Sequence, residues 1–347
     1  MVLMKLFLTR RTAITASIAL LTLGAVTACS TSEPTSTSTA AVSTPSATST
    51  SAATSESTAA AASSESPDLA TLVAEVTDTF TQATYTDSAT GAELPYNIYL
   101  PADYDASKTY PVVLYIADSS LVGQDVTAPL SQYGALIWAS SEQQAVQESI
   151  VIVPEYPEVI IDDHGSYTTT DYVEATVGLL ESIQSQYSVD ASRIYGTGQS
   201  MGAMTVMYLA AHHPDLFAAE LIVSGQWDPT DLSGLTSEKF LYFAAGGDEN
   251  ASGGQTDVEA LLDSAGVAYG TTTLDATAAA TEQNAAVSDL VANGDTANFA
   301  TFDTGTVLEV AGTSSSSGMG GSSEHMASFE PAYKIAAARD WLLSQTA

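Results

Sequence analysis

Gly198-Gln199-Ser200-Met201-Gly202 is the stretch on which the reading of this chain turns. It fits G-x-S-x-G, follows the strand-like Arg193-Ile194-Tyr195-Gly196 and opens the helical pattern Met201–His212. Strand, tight turn and helix in that order are the context in which the motif carries a nucleophile. Ser200 then has to sit on a strained turn that lifts its hydroxyl above a sheet. Gly198 and Gly202 leave room for strand and helix to approach closely. The start of the helix supplies a free backbone N–H from Met201 and a positive dipole end for a developing oxyanion.

A nucleophilic serine needs a base, and the base needs an orienting acid; in a strand–turn–helix site they follow in the order serine, acid, histidine. The chain has four histidines. His164 precedes Ser200, and His212 and His213 close the helical run before Pro214, where they are placed to cap carbonyls. His325 alone lies downstream, in Ser323-Glu324-His325-Met326 after a Gly/Ser-rich loop, and is the candidate base. Asp248 is the candidate acid, because it ends the strand-like run Phe240–Ala245 through Gly246-Gly247. Asp228 and the adjacent Glu249 compete, but Asp228 reads as a turn residue before Pro229.

Outward from this motif, short apolar runs alternate with helical patterns. Strand-like runs are Thr71–Thr84, Pro95–Leu100, Val112–Ile116, Ile150–Pro154, Arg193–Gly196, Ala219–Val223, Phe240–Ala245 and Asn298–Phe302. Helical patterns span Ala135–Gln147, Tyr172–Gln186, Met201–His212, Asp257–Ser264, Glu282–Val291 and Ala332–Ser344. The alternation predicts an α/β fold: a mostly parallel sheet of about eight strands with helices on both faces. The first two strands, joined through Asp87–Glu93 with Gly91, predict an antiparallel hairpin at its edge.

The segment Leu94-Pro95-Tyr96-Asn97-Ile98-Tyr99-Leu100-Pro101, then Tyr104, then Tyr110-Pro111-Val112-Val113-Leu114, together with the Ser200 motif, resembles the α/β-hydrolases. Within them it is similar to secreted esterases of the polyhydroxybutyrate-depolymerase and feruloyl-esterase kinds and to the prolyl-oligopeptidase-type catalytic domain. The resemblance covers most of residues 76–345 and is strongest at 94–116, 193–217 and 240–248. It implies an α/β-hydrolase fold with nucleophile Ser200, acid Asp248 and base His325, and no cofactor or metal. It also implies oxyanion donors at the Met201 N–H and at a backbone N–H after the third strand. Such enzymes usually carry His-Gly there, whereas this chain has Ile116-Ala117-Asp118-Ser119-Ser120. Ser119 still supplies an N–H, because a backbone donor does not depend on its side chain. Asp118 works against the developing charge unless it points away or is paired.

Residues 1–28 read as an export signal: Lys5, Arg10 and Arg11 precede an uncharged apolar stretch, Ala13 to Ala28. Val26-Thr27-Ala28-Cys29 resembles a bacterial lipobox, and Cys29 is the only cysteine, so lipidation at Cys29 is expected and no intramolecular disulfide is possible. From residue 29 to 66 the chain is a Ser/Thr/Ala-rich tether, with 22 of the 37 residues from Ser30 to Ser66 being Ser or Thr. Residues 67–347 then form one catalytic domain. Forty-one Asp and Glu stand against eight Lys and Arg, a formal charge of −33. Such a chain repels nucleic acid and anionic lipid head groups, leaving the lipid as its hold on the membrane.

These features predict an extracytoplasmic, lipid-anchored monomer that hydrolyses a small-molecule or polymer ester. A prolyl-oligopeptidase-type peptidase and a binding protein with the same fold but weak chemistry are the alternatives. Tyr156, Tyr167, Trp227 and Tyr269 are candidate pocket aromatics. Asp162-Asp163-His164 reads as a turn, since adjacent residues in regular structure do not aim at one ion.

Overall fold

The computed structural model describes residues 65–312 and 322–347. The export signal, Cys29 and nearly all of the tether lie outside these residues. The strands are β1 (Thr81–Thr86), β2 (Glu93–Tyr99), β3 (Tyr110–Ile116), β4 (Ile150–Pro154), β5 (Ile161–Asp162), β6 (Thr168–Thr169), β7 (Val189–Gln199), β8 (Ala219–Val223), β9 (Phe240–Ala245), β10 (Tyr269–Leu274) and β11 (Ala297–Phe302). The helices are α1 (Leu69–Val76), α2 (Tyr133–Leu136), α3 (Ser141–Val146), α4 (Asp171–Gln186), α5 (Met201–His212), α6 (Glu249–Ala265), α7 (Ala280–Val291), α8 (Thr306–Val310), α9 (Ser322–Ala327), α10 (Phe329–Lys334) and α11 (Ala336–Ser344).

Nine strands form one sheet in the order β1-β2-β4-β3-β7-β8-β9-β11-β10; β5 and β6 make a separate small hairpin. β1 and β2 run antiparallel with Thr81 opposite Ile98, β2 is also antiparallel to β4, and every other pair is parallel. β3, β4 and β9 are apolar along their whole length because both faces are covered. Alternate residues of β3 show it: Val113 and Tyr115 join a core with α1, α2, α7, α10 and α11, while Val112, Leu114 and Ile116 join a second core with α4, α5 and α6. Each such buried aliphatic side chain contributes about 1.5–3 kcal/mol. Pro111 has no N–H to give the ladder, and the β3–β7 register shifts beside it, between Tyr110 and Val112.

Five expectations change, the first being Ala332–Ser344, which is broken at the extended Ile335 between the end of α10 and α11. Thr71–Thr84 is not one strand: its first part belongs to α1. Asp68 caps that helix by accepting the Thr71 N–H at 2.7 Å, and Leu72 and Val76, four apart, face the core. Helix α6 begins at Glu249 rather than near Asp257. Its Gly253-Gly254 hides the period, and Gly254 is glycine because a Cβ there would lie 2.7 Å from Gln226 Cβ. The expected Ala135–Gln147 helix is divided into α2 and α3, the second capped by Ser140. Tyr269–Leu274 is a ninth strand that the sequence reading left out. Its Gly and three Thr give little apolar alternation, as suits an edge strand.

β8 carries Glu220 fully buried, and among the described residues neither carboxyl oxygen has a hydrogen-bond partner. Burial pushes this carboxyl well above its ordinary 4.5, with Glu238 adding to the rise and Lys239 opposing it. Burial, followed by Asp215, lifts Glu238 to about 7. The folded chain thus holds protons that the unfolded chain releases near 4.5. Below that pH ionisation of the two groups costs nothing, and stability is lost as pH rises above it, through about 7 for Glu238 and through a pKa well above 4.5 for Glu220. Replacing Glu220→Met is expected to raise the unfolding free energy by about 1–3 kcal/mol at pH 8. The gain should shrink at pH 5. Urea denaturation at both pH values checks this, and an equal gain at both would contradict it.

Candidate active site

The elbow is built from close backbone contact. Ser200 has φ 53° and ψ −117°, a conformation that costs a non-glycine residue on the order of 1–3 kcal/mol. It persists because its surroundings leave no slack. The Ser200 N–H donates to Val223 O of β8 at 3.0 Å, and Met204 N–H closes the first turn of α5 on Ser200 O at 2.9 Å. A Cβ on Gly198 would lie 2.5 Å from the Gly202 carbonyl carbon, and one on Gly202 would lie 2.0 Å from Ile116 O at the exit of β3. Both motif glycines are therefore required by space.

Asp248 leaves the exit of β9 and is 3% exposed. It caps α6, with Oδ1 accepting the Ala251 N–H at 3.3 Å, and its other oxygen lies 2.6 Å from His325 Nδ1. His325 Nε2 lies 2.8 Å from Ser200 Oγ. The three side chains expected from the sequence thus form one continuous series above the carboxyl edge of the sheet. Asp248 and His325 are 77 residues apart in the chain, and His325 and Ser200 are 125 apart.

Sequence reasoning missed what holds His325. It rides on the short helix α9, not on a loop. Its neighbour Glu324 is buried, and the Glu324 carboxylate accepts the Gly247 N–H at 2.9 Å and the Gly305 N–H at 3.0 Å. Consecutive residues of α9 thus grip consecutive residues of the β9–α6 turn: Glu324 on Gly247, His325 on Asp248. On the other side, the Ser328 hydroxyl donates to His325 O at 2.7 Å and is 2.7 Å from the hydroxyl of Ser224, beyond β8. The Phe329 ring packs edge-on against the imidazole at 5.0 Å. The Glu324 signal was in the quoted motif, next to His325, but nothing in the sequence says which backbone it meets.

Ser200 and His325 line a cavity of about 830 Å³, with Ser119, Met201 and the apolar Ile161 and Met204 also on its wall. The remaining candidates lie elsewhere or do other work. His212 and His213 pair with Asp231 and Glu174, each at 3.2 Å. Asp228 accepts the Thr230 N–H at 2.9 Å, as a turn residue does, and Glu249 lines the cavity from the first turn of α6. Of the four aromatics, Tyr156 is buried against Thr176, Tyr269 stands on β10 with its ring 5.5 Å from Phe299, and Trp227 is buried under Tyr167 at 4.9 Å; none lines the cavity.

Asp162-Asp163-His164 is a turn, with the His164 N–H donating to Asp162 Oδ1 at 2.9 Å. The expectation that its three side chains diverge is corrected. Leaving the two-residue β5 frees them from strand alternation, and one donor atom from each lies within 4.8 Å of the others at the cavity rim. The Asp162 hydrogen bond, then the charges of Asp163 and Asp162, hold the His164 pKa above its ordinary 6.5.

The Esterase family model matches residues 88–317, more than half of the chain. Dipeptidyl-peptidase 5 of Porphyromonas gingivalis is 30% identical over 157 residues, which are 42% of this chain and 21% of that protein. Acetylxylan esterase A of Emericella nidulans is 27% identical over 136 residues, 38% of this chain and 41% of that one. The chain thus spans about a fifth and two fifths of these relatives. Two solved structures share the fold. A thermostable esterase has a TM-score of 0.59 at 22% identity, covering 78% of this chain and 64% of its own. The feruloyl esterase module from Clostridium thermocellum, complexed with sinapinate, has a TM-score of 0.53 at 14% identity, covering 80% and 92%. The fold is that of the α/β-hydrolases.

A methyl on Gly247 would lie 2.1 Å from Glu324 Oε1 and displace the Glu324 carboxylate, breaking its hold on the turn that carries Asp248. Gly247→Ala is expected to lower kcat toward an ester by about 10²-fold, the scale of a 1 Å misplacement of a reacting group. Steady-state kinetics beside a thermal melt checks this; unchanged kcat would mean that the clamp does not position His325.

Proposed function

The chain belongs to the esterase family, and on that premise we propose that it is an extracytoplasmic serine hydrolase cleaving carboxylic esters through an acyl-enzyme on Ser200. The observation that carries the proposal is the unbroken series from Ser200 Oγ through His325 to Asp248, at 2.8 and 2.6 Å. In this reading the Ser200 hydroxyl donates to His325 Nε2, and Nδ1–H donates to Asp248. As Oγ bonds to the acyl carbon, its proton passes to Nε2 and the carbonyl electron pair moves onto oxygen. The Met201 and Ser119 N–H groups receive that oxyanion, each contributing on the order of 3 kcal/mol. Collapse expels the alcohol, which takes the proton from Nε2. Water, deprotonated by the same nitrogen, then releases the acid.

The peptidase reading has its own support in the 30% identity to dipeptidyl-peptidase 5, over the part of the chain that matches it. Esters are preferred because the family model is that of esterases. A binding protein without chemistry gives no reason for a serine held in strained backbone within hydrogen-bond distance of an imidazole.

The proposal places the chain outside the cytoplasm as a monomer, with Cys29 carrying the lipid. Among the described residues no helix is long and apolar enough to cross a membrane.

A fluorophosphonate probe is expected to label Ser200, and Ser200→Ala is expected to lose the label together with roughly 10⁴- to 10⁶-fold in p-nitrophenyl ester turnover. Full labelling of the variant refutes the assignment, and faster turnover of prolyl peptide substrates than of short esters moves the reading to the peptidase. In the producing cell, radiolabelled palmitate should enter the wild-type chain and not Cys29→Ser. Equal incorporation would remove Cys29 as the anchor.

A further inference from the structure

Asp118 stands where related sites carry the residues that shape the oxyanion hole, and it is only 2% exposed. A bare carboxylate there would oppose the charge that the reaction develops. It is not bare. Oδ1 accepts the Ser120 N–H at 2.9 Å, and Oδ2 accepts from the Gln199 side-chain amide at 2.8 Å and from that of Gln132. Gln132 is itself held, its carbonyl oxygen accepting the hydroxyl of the fully buried Tyr115 at 2.8 Å.

These donors come from three places. Ser120 belongs to the turn after β3, the turn that includes Ser119. Gln199 is the last residue of β7, directly before Ser200. Gln132 leads into α2. β3 and β7 are neighbours, with Ile116 opposite Gly198, so the exits of the two strands lie side by side. Backbone contact between Gly202 and Ile116 O fixes the first turn of α5 against the end of β3. The contact extends one residue further, to Ala117 O at 2.9 Å from the same Cβ, and beyond it the Asp118 carboxylate is the bridge to the exit of β7.

We propose that Asp118 is a positioning residue for the oxyanion hole. It ties the Ser119–Ser120 turn to the residue preceding the nucleophile, so that the Ser119 N–H points into the cavity and converges with that of Met201. By taking up the Ser120 N–H it leaves Ser119 as the turn's donor to substrate. Its charge is met by three N–H groups, and Asp118 itself does not line the cavity. Asp118 touches no substrate and acts through the backbone of its neighbours. The inference rests on the serine-hydrolase reading and adds to it the reason that a site without His-Gly is assembled.

The test pairs Asp118→Asn with Gln199→Leu, which cuts the bridge from its other end should the first variant fail to fold. Asparagine keeps one acceptor but presents an NH2 to two amide donors. Each variant is expected to lose 10- to 100-fold in kcat on a p-nitrophenyl ester with KM within about twofold of wild type, near the scale of one oxyanion donor. A trifluoromethyl ketone, which places an oxyanion in the hole when Ser200 adds to it, should lose affinity by the same factor as kcat/KM. The double variant should be little worse than either single one. A purely structural role would lower the melting temperature without this parallel loss. Folded variants with unchanged kcat and unchanged ketone affinity would overturn the proposal, as would a change confined to KM. Failure of the fluorophosphonate to label wild-type Ser200 would instead bring down the hydrolase reading itself, and this inference with it.

Discussion

The Ile116 carbonyl presses on Gly202 so closely that no side chain fits between them. That contact brings the exit of β3 against the first turn of α5 and leaves the chain between β7 and α5 one way to pass. Ser200 takes that way at φ 53°, and the strain is sustained by the main-chain bonds and packed cores on either side rather than by anything at the serine itself. A methyl group at Gly202 would act on Ser200 through the backbone. The rest of the site is placed relative to this fixed point: the β9 exit brings Asp248, α9 brings His325, and the turn after β3 brings Ser119.

Charge presents the second constraint. With 41 carboxylates and eight Lys and Arg, this chain has few cations to place at a site where the proposed reaction develops negative charge. Among the described residues, Lys108, Arg193 and Lys239 lie before or within the amino-terminal halves of β3, β7 and β9, at the edge opposite Ser200. Lys334 pairs with Glu330, and Arg339 is buried on Glu142 and Gln143. The site edge is instead organised by carboxylates whose oxygens are taken up by N–H groups. Asp248 divides its two oxygens between the start of α6 and His325. Glu324 divides its own between two glycine amides, and Asp118 accepts from one backbone and two side-chain donors. A carboxylate so engaged is a fixed joint between segments, and its field is compensated locally.

Those same residues mark where the sequence could be read and where it could not. The elbow was legible because its requirement is local: a glycine two places to either side of a serine, between a β pattern and a helical one. The order of acid and histidine was legible because strand exits recur in chain order. Edge elements were less so. Thr71–Thr84 has the β-branched composition of a strand, yet the Asp68 cap and the spacing of Leu72 and Val76 make its first part α1. Tyr269–Leu274 lacks an apolar pattern and becomes a strand by pairing with β11. The Glu324–Gly247 and Asp118–Gln199 contacts span 77 and 81 residues, and no local period records a contact at such a distance.

On the proposed hydrolase reading, the missing His-Gly shows why a side-chain motif is an indirect reading of an oxyanion hole. What the chemistry requires is a backbone N–H at a defined point, and the motif side chains matter only as one means of putting it there. Here Asp118 occupies that stretch, and its partners Gln199 and Gln132 lie 81 and 14 residues further along the chain. Read by itself, Asp118 looks hostile to a developing negative charge. Placed among three donors it becomes the tie between two strand exits. The physical criterion for such a site is therefore the saturation of the residue beside the hole, because a saturated carboxylate can hold a donor in place where an unpaired one would repel the group that the donor is meant to receive.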